Sequence, residues 1–214
     1  MRASDEMPGR IRSGWLIPAG LIALSVLPLI GGAMRMAEIA TGAQPDPNNA
    51  RLLAAPVPLV LHILSSSIYF VLGALQFSPS LRRSRPDWHR VAGRILIPSG
   101  VLSALTGIWM ACIYPPLFGD GTAAAAIRII VGTCIVVFIA RGFAAIRQRA
   151  VASHRAWMMR AYALAIAAGT QPLTLAPIIV FPELYGELGY TSGLAAGWVV
   201  NIAFAEWLIR RQPR

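Results

Sequence analysis

The feature that most limits what this chain can become is a run of about twenty residues without charge, met repeatedly along its 214 residues. A helix rises about 1.5 Å per residue, so about 20 apolar residues cross the roughly 30 Å of bilayer hydrocarbon. Lipid offers a backbone amide no partner outside its own helix. Trp15 to Met34, Leu52 to Leu81, Ile95 to Gly119, Ala161 to Pro182 and Leu188 to Ala205 meet that length between arginines or acids, and Thr122 to Ala140 does so with one interruption, Arg128. The pattern predicts an all-α fold, a six-helix transmembrane bundle forming one domain over residues 1–214. Its spans fall near 15–37, 55–78, 91–114, 122–142, 157–181 and 188–209. Spans two to five are predicted to form a central four-helix unit, with the first and sixth outside it.

Composition agrees: 56% of residues are hydrophobic and only 13% charged, too few charges to cover a soluble surface. The net charge of +10 comes from 19 basic residues, all arginine, against 9 acids. Basic charge can serve nucleic acid or membrane topology, and position separates the two. Arg2, Arg10 and Arg12 precede the first span. Arg82, Arg83, Arg85, Arg90 and Arg94 follow the second, Arg141, Arg147, Arg149, Arg155 and Arg160 the fourth, and Arg210, Arg211 and Arg214 the sixth. The alternate loops keep only Arg35 and Arg51, with Glu38, Asp46, Asp120, Glu183 and Glu187. Cytoplasmic loops retain positive charge, so both termini are predicted inside a bacterial inner membrane, with membrane lipids as partners and no nucleic acid. A partner subunit or a second copy stays open. The first span lacks a small-residue cleavage site near its end and reads as an uncleaved helix, and Cys112 and Cys134, both in apolar stretches, read as core residues.

Ionisable groups at membrane depth are costly, so the three histidines are the first places to look for chemistry. Pro86-Asp87 marks a helix start that puts His89 in the first turn of the third span, and Ser153 is predicted to cap the fifth, with His154 at the same face. Two imidazoles at one depth can ligate a b-type haem iron from opposite sides, with Arg90, Arg94, Arg155 and Arg160 around the propionates. Electron transfer through such a haem is the most concrete activity the residues suggest. His62 belongs to another layer, about one turn from the bilayer centre on the far side. His62, Ser66, Tyr69, Gly73 and Gln76 recur at helical spacing, and Arg128 falls at a depth similar to His62. His62, Tyr69, Gln76 and Arg128 are therefore candidate pocket residues for a small solute or lipid, with Gln171, Thr174 and Thr106 near the midplane. A third class is open as well: an accessory membrane protein without catalysis, whose arginines and interfacial Trp88 and Trp157 meet head groups.

Three elements together carry a resemblance: His62-Ile63 with Gly73 and Gln76-Phe77, the block His89-Arg90-x-x-Gly93-Arg94, and the block His154-Arg155-x-Trp157-Met158-x-Arg160-x-Tyr162-Ala163-Leu164. Over roughly Leu59 to Ile179 the chain resembles a bacterial membrane family of uncharacterised proteins, domain of unknown function 2306, with the first and sixth spans outside the likeness. The resemblance implies a multi-span membrane protein and no particular reaction. Members often carry an arginine after the fifth-span block, where this chain has Gly169-Thr170-Gln171-Pro172.

Overall fold

The computed structural model describes residues 9–47, 49–116, 121–181, 183 and 186–211. Arg2, Asp120 and Arg214 lie outside the described residues, as do the side chains of Arg10 and Arg12. Among the described residues every regular element is a helix: α1 (Gly9–Thr41), α2 (Ala50–Ala54), α3 (Pro56–Gln76), α4 (Pro79–Ser84), α5 (Pro86–Ile113), α6 (Thr122–Arg147), α7 (Val151–Val180) and α8 (Glu187–Arg210). Proline opens α3, α4 and α5, where its fixed φ suits a helix and its missing N–H is not needed. Ser78 caps α4 by accepting the Leu81 amide at 3.2 Å.

Five helices, α1, α3, α5, α6 and α8, contain segments long and apolar enough to cross a membrane. α7 is 30 residues long and holds the centre instead of a lipid-facing edge: Ala161, Tyr162, Leu164, Ile166 and Ala167 are all buried. α5, α6, α7 and α8 outrun their predicted spans, chiefly where arginines at the arginine-rich end stay helical while their long side chains reach past the apolar layer, whereas α3 stops short of its predicted span at both ends. α7 also starts earlier than its sequence suggests. The turn from α6 passes through Arg149 at φ 60° and the helix begins at Val151, so Ser153 sits inside it and caps nothing.

α3 packs on α5, α5 on α6, α6 on α7, and α7 closes the ring on α3. α5 and α7 thus occupy diagonal corners, as do α3 and α6. α1 leans on α3 and α7 from outside, and α8 covers α7 and α6. The outward faces carry large apolar side chains, among them Leu16, Ile130, Val137 and Val200, the reverse of a soluble surface. The ring's centre is aromatic. Tyr69 and Tyr162 lie with ring centroids 5.7 Å apart, Phe77 sits 5.1 Å from Tyr162, and the buried Tyr162 hydroxyl donates to the Phe70 carbonyl at 2.8 Å. Tyr162 reaches this place because Gly73 presents no side chain: a Cβ there would clash with the edge of its ring.

Candidate functional site

The bundle has an arginine-rich end, where α3 finishes and α5 and α7 begin, and an opposite end. A cavity of about 770 Å³ enters from the opposite end, where Arg51, Tyr114 and Gly121 line it, and reaches Phe70, Ile135 and Leu164 inside the ring. Burial pushes the Tyr114 phenol above its usual range, with the nearby Arg51 acting against that shift. Its hydroxyl donates to the Ala55 carbonyl at 2.6 Å and ties α3 to the end of α5.

His62 and Arg128 both line this cavity, one from α3 and one from α6 across the diagonal. His62 Nδ1 lies 2.9 Å from the Ser103 carbonyl and 3.3 Å from Thr106 Oγ1. A carbonyl only accepts, so the ring proton is on Nδ1 and the Nε2 lone pair is left uncommitted among the described residues. Thr106 is itself fixed, donating to the Leu102 carbonyl at 2.7 Å. Arg128 donates through a terminal nitrogen to the Tyr190 hydroxyl of α8 at 3.3 Å. Gln171 lines the same wall and donates to the Leu194 carbonyl at 3.3 Å.

Of the four predicted pocket residues, the fold brings two together. Tyr69 is in the aromatic core and Gln76 is in the last turn of α3, near the arginine-rich end; neither lines the cavity. The physical reason is length and twist: Gln76 lies 14 residues, about 21 Å, beyond His62 along the helix, and Tyr69 turns into the ring. Tyr190, Leu194 and Trp198 on α8 complete the wall instead. They were not singled out from the sequence, although their spacing of four marks one helix face.

At the arginine-rich end, His89 and His154 each stand in the first turn of their helices, on diagonal corners and within electrostatic range of one another. His154 Nδ1 donates to the Gly142 carbonyl of α6 at 2.8 Å, which leaves its Nε2 open. That tether is how proteins orient a ligating imidazole. Nδ1 of His89 is buried without a hydrogen-bond partner among the described residues. Of the arginines predicted around haem propionates, Arg90 is turned to Asp87 at 2.6 Å, Arg160 holds Glu206 with two hydrogen bonds, and Arg94 is exposed. Neither the cavity above nor a second of about 720 Å³, between the ends of α7 and α8, reaches either histidine.

Gly169-Thr170-Gln171-Pro172 is used for packing. Gly169 lets α1 approach α7 closely, Thr170 donates to Asn201 Oδ1 at 2.9 Å, and Asn201 donates back to the Ala163 carbonyl at 3.1 Å. Neither the curated proteins nor the solved structures contain a match to the chain. The family model described as predicted membrane protein (DUF2306) matches residues 59–209. The match extends past Ile179, where the resemblance had ended, and takes in α8, the helix that supplies Tyr190, Trp198 and Glu206. With all three histidines and both ends of the bundle inside the match, the chain belongs to the DUF2306 family of membrane proteins.

Proposed function

We propose that the chain is a six-span membrane receptor that takes a small amphipathic molecule into the cavity between α3, α5, α6 and α7. One observation carries this reading: His62 and Arg128, on diagonal helices, line the same cavity of about 770 Å³. A cation and an imidazole inside a membrane segment are costly, and such residues mark functional sites by default. A concave, mainly apolar site with a few convergent polar groups is the usual form of a small-molecule pocket. Arg128 donates and His62 Nε2 accepts, so the ligand pairs a carbonyl or acid oxygen with a hydroxyl or amide donor. Its apolar body lies against Leu59, Phe70, Ile135 and Leu164.

A brominated medium-chain carboxylic acid is expected to quench Trp198 in the detergent-purified protein, with no such component in Trp198→Phe. Arg128→Gln removes a charge-assisted hydrogen bond and is expected to weaken this binding about tenfold. Ser66→Cys, facing the cavity, is expected to react with a membrane-impermeant maleimide. Quenching that is equal in the wild type and Arg128→Gln, or an inert thiol at residue 66 together with no quenching, sinks the reading.

In this reading α7 also crosses the membrane, as the fifth of six spans, and the arginine-rich end faces the cytoplasm of the inner membrane, because positive loops are retained there. The cavity then opens outward. With Cys112 and Cys134 replaced by serine, Arg149→Cys is expected to react with an impermeant maleimide only in inverted vesicles. Labelling in intact cells would reverse the orientation.

A further inference from the structure

Residues 82–94 and 141–160 hold ten arginines against one aspartate, Asp87, and that aspartate is turned to Arg90. The fold gathers part of this charge in one place. His89, in the first turn of α5, lies within electrostatic range of Arg82 on α4 and of His154 in the first turn of α7. Arg155 lies within range of the same Arg82. The guanidinium groups of Arg82 and Arg155 repel one another, and an anion between them turns that repulsion into attraction.

Two further atoms at this end point the same way. Nδ1 of His89 and Nε2 of Gln76, in the last turn of α3, are buried with no hydrogen-bond partner among the described residues. Buried polar atoms are nearly always paired, so an orphan calls for a bound group that meets it. His154 is prepared in a complementary way, with Nδ1 anchored on Gly142 and Nε2 left open. Neither α5 nor α7 has a side-chain cap; Pro86 brings no N–H and the Val151 amide already donates to the Arg149 carbonyl at 3.0 Å, so the site rests on its side chains.

We propose that the arginine-rich end binds a phosphate group, held by Arg82, Arg155, His89 and His154. Phosphate suits this set better than a single carboxylate, because its oxygens can accept from guanidinium forks and imidazoles at several angles at once. Trp88 and Trp157 place the cluster at the level of a membrane surface, where phosphate occurs both as a lipid head group and as a free ion or soluble ester. The competing occupant is haem, on the same two imidazoles. It is disfavoured because two of its four expected arginines, Arg90 and Arg160, are committed to carboxylates.

The test uses the full chain in a neutral detergent, with binding read by native mass spectrometry and calorimetry. The probes are short-chain phosphatidic acid, the matching diacylglycerol and inorganic phosphate. Phosphatidic acid is expected to bind and diacylglycerol not to. Arg82→Gln and Arg155→Gln are each expected to weaken binding about tenfold, the loss of one charge-assisted hydrogen bond. Arg149→Gln removes the same charge outside the cluster and is expected to change binding less than about twofold. Inorganic phosphate that binds with the same variant profile assigns the site to soluble phosphate, and phosphate that fails while the lipid binds assigns it to a head group. Equal losses in Arg82→Gln and Arg149→Gln would reduce the site to diffuse charge and overturn the proposal. A reduced haem α-band in the purified protein that disappears in His154→Ala would give the histidines to iron and overturn it too.

Discussion

Gly169→Val is expected to prise α1 from the bundle. A Cβ at Gly169 would coincide with the Leu24 carbonyl of α1, and a backbone atom cannot swing away as a side-chain tip does. The two helices must move apart. Overpacking a filled interior costs about 1–3 kcal/mol, and a clash with backbone belongs at the upper end. Among the described residues α1 meets the rest of the bundle mainly along α3 and α7, so this seam carries much of its attachment. Separation would expose Ser25 and Pro18, both fully buried now. In detergent the variant should melt well below the wild type and gain a protease-sensitive site in the connector before α2. Gly31→Ala and Gly20→Ala are the controls, because nothing lies within 4 Å of a Cβ at either position. A Gly169→Val protein with an unchanged melt would mean that the helices do not meet here.

The second large effect is expected at Arg160. Its Nε and a terminal nitrogen both reach the Glu206 carboxylate of α8, and its guanidinium lies 4.8 Å from the Trp157 ring centroid, with Arg141 of α6 at 5.2 Å from the same ring. Arg160 thus joins α7 to α8, and its neighbour Trp157 joins α7 to α6. The two charged side chains are 21% and 31% exposed, which leaves limited room for water to screen them. Arg160→Glu sets two carboxylates facing each other and is expected to cost about 2–4 kcal/mol, toward the range for breaking a buried pair. The double reversal Arg160→Glu with Glu206→Arg is expected to recover most of that loss in a thermal melt. A double variant no better than the sum of its singles would show that the pair contributes no coupling.

How much of this was legible depended on range. Spans follow from local composition, so the apolar stretches located the long helices, and Pro86-Asp87 located the start of α5. The depth of His62 and Arg128 could be counted from helix ends, and they do share a cavity. Contacts between distant segments were another matter. Glu206 reads from the sequence as an interfacial acid beside Trp207, and nothing local announces a partner 46 residues away. Tyr69 and Gln76 fit a helical stripe with His62, yet a stripe is only a spacing; which neighbour it meets changes along 21 residues of α3. Ser153 failed as a cap for a similar reason, because the turn at Arg149 was free to start α7 three residues sooner.

The aromatic layer of Tyr69, Tyr162 and Phe77 has a consequence for traffic. The cavity from the opposite end stops at Phe70, whose carbonyl takes the Tyr162 hydroxyl, and the cationic cluster begins on the other side of those rings. The layer of rings lies between the cavity and the cationic cluster. Anything that crossed would have to break the Tyr162 hydrogen bond and tilt rings that Gly73 lets sit against bare backbone. A wider residue at Gly73 would therefore disturb these rings before it disturbed the cavity or the cluster, and an ion leak through reconstituted vesicles that the wild type lacks would report it.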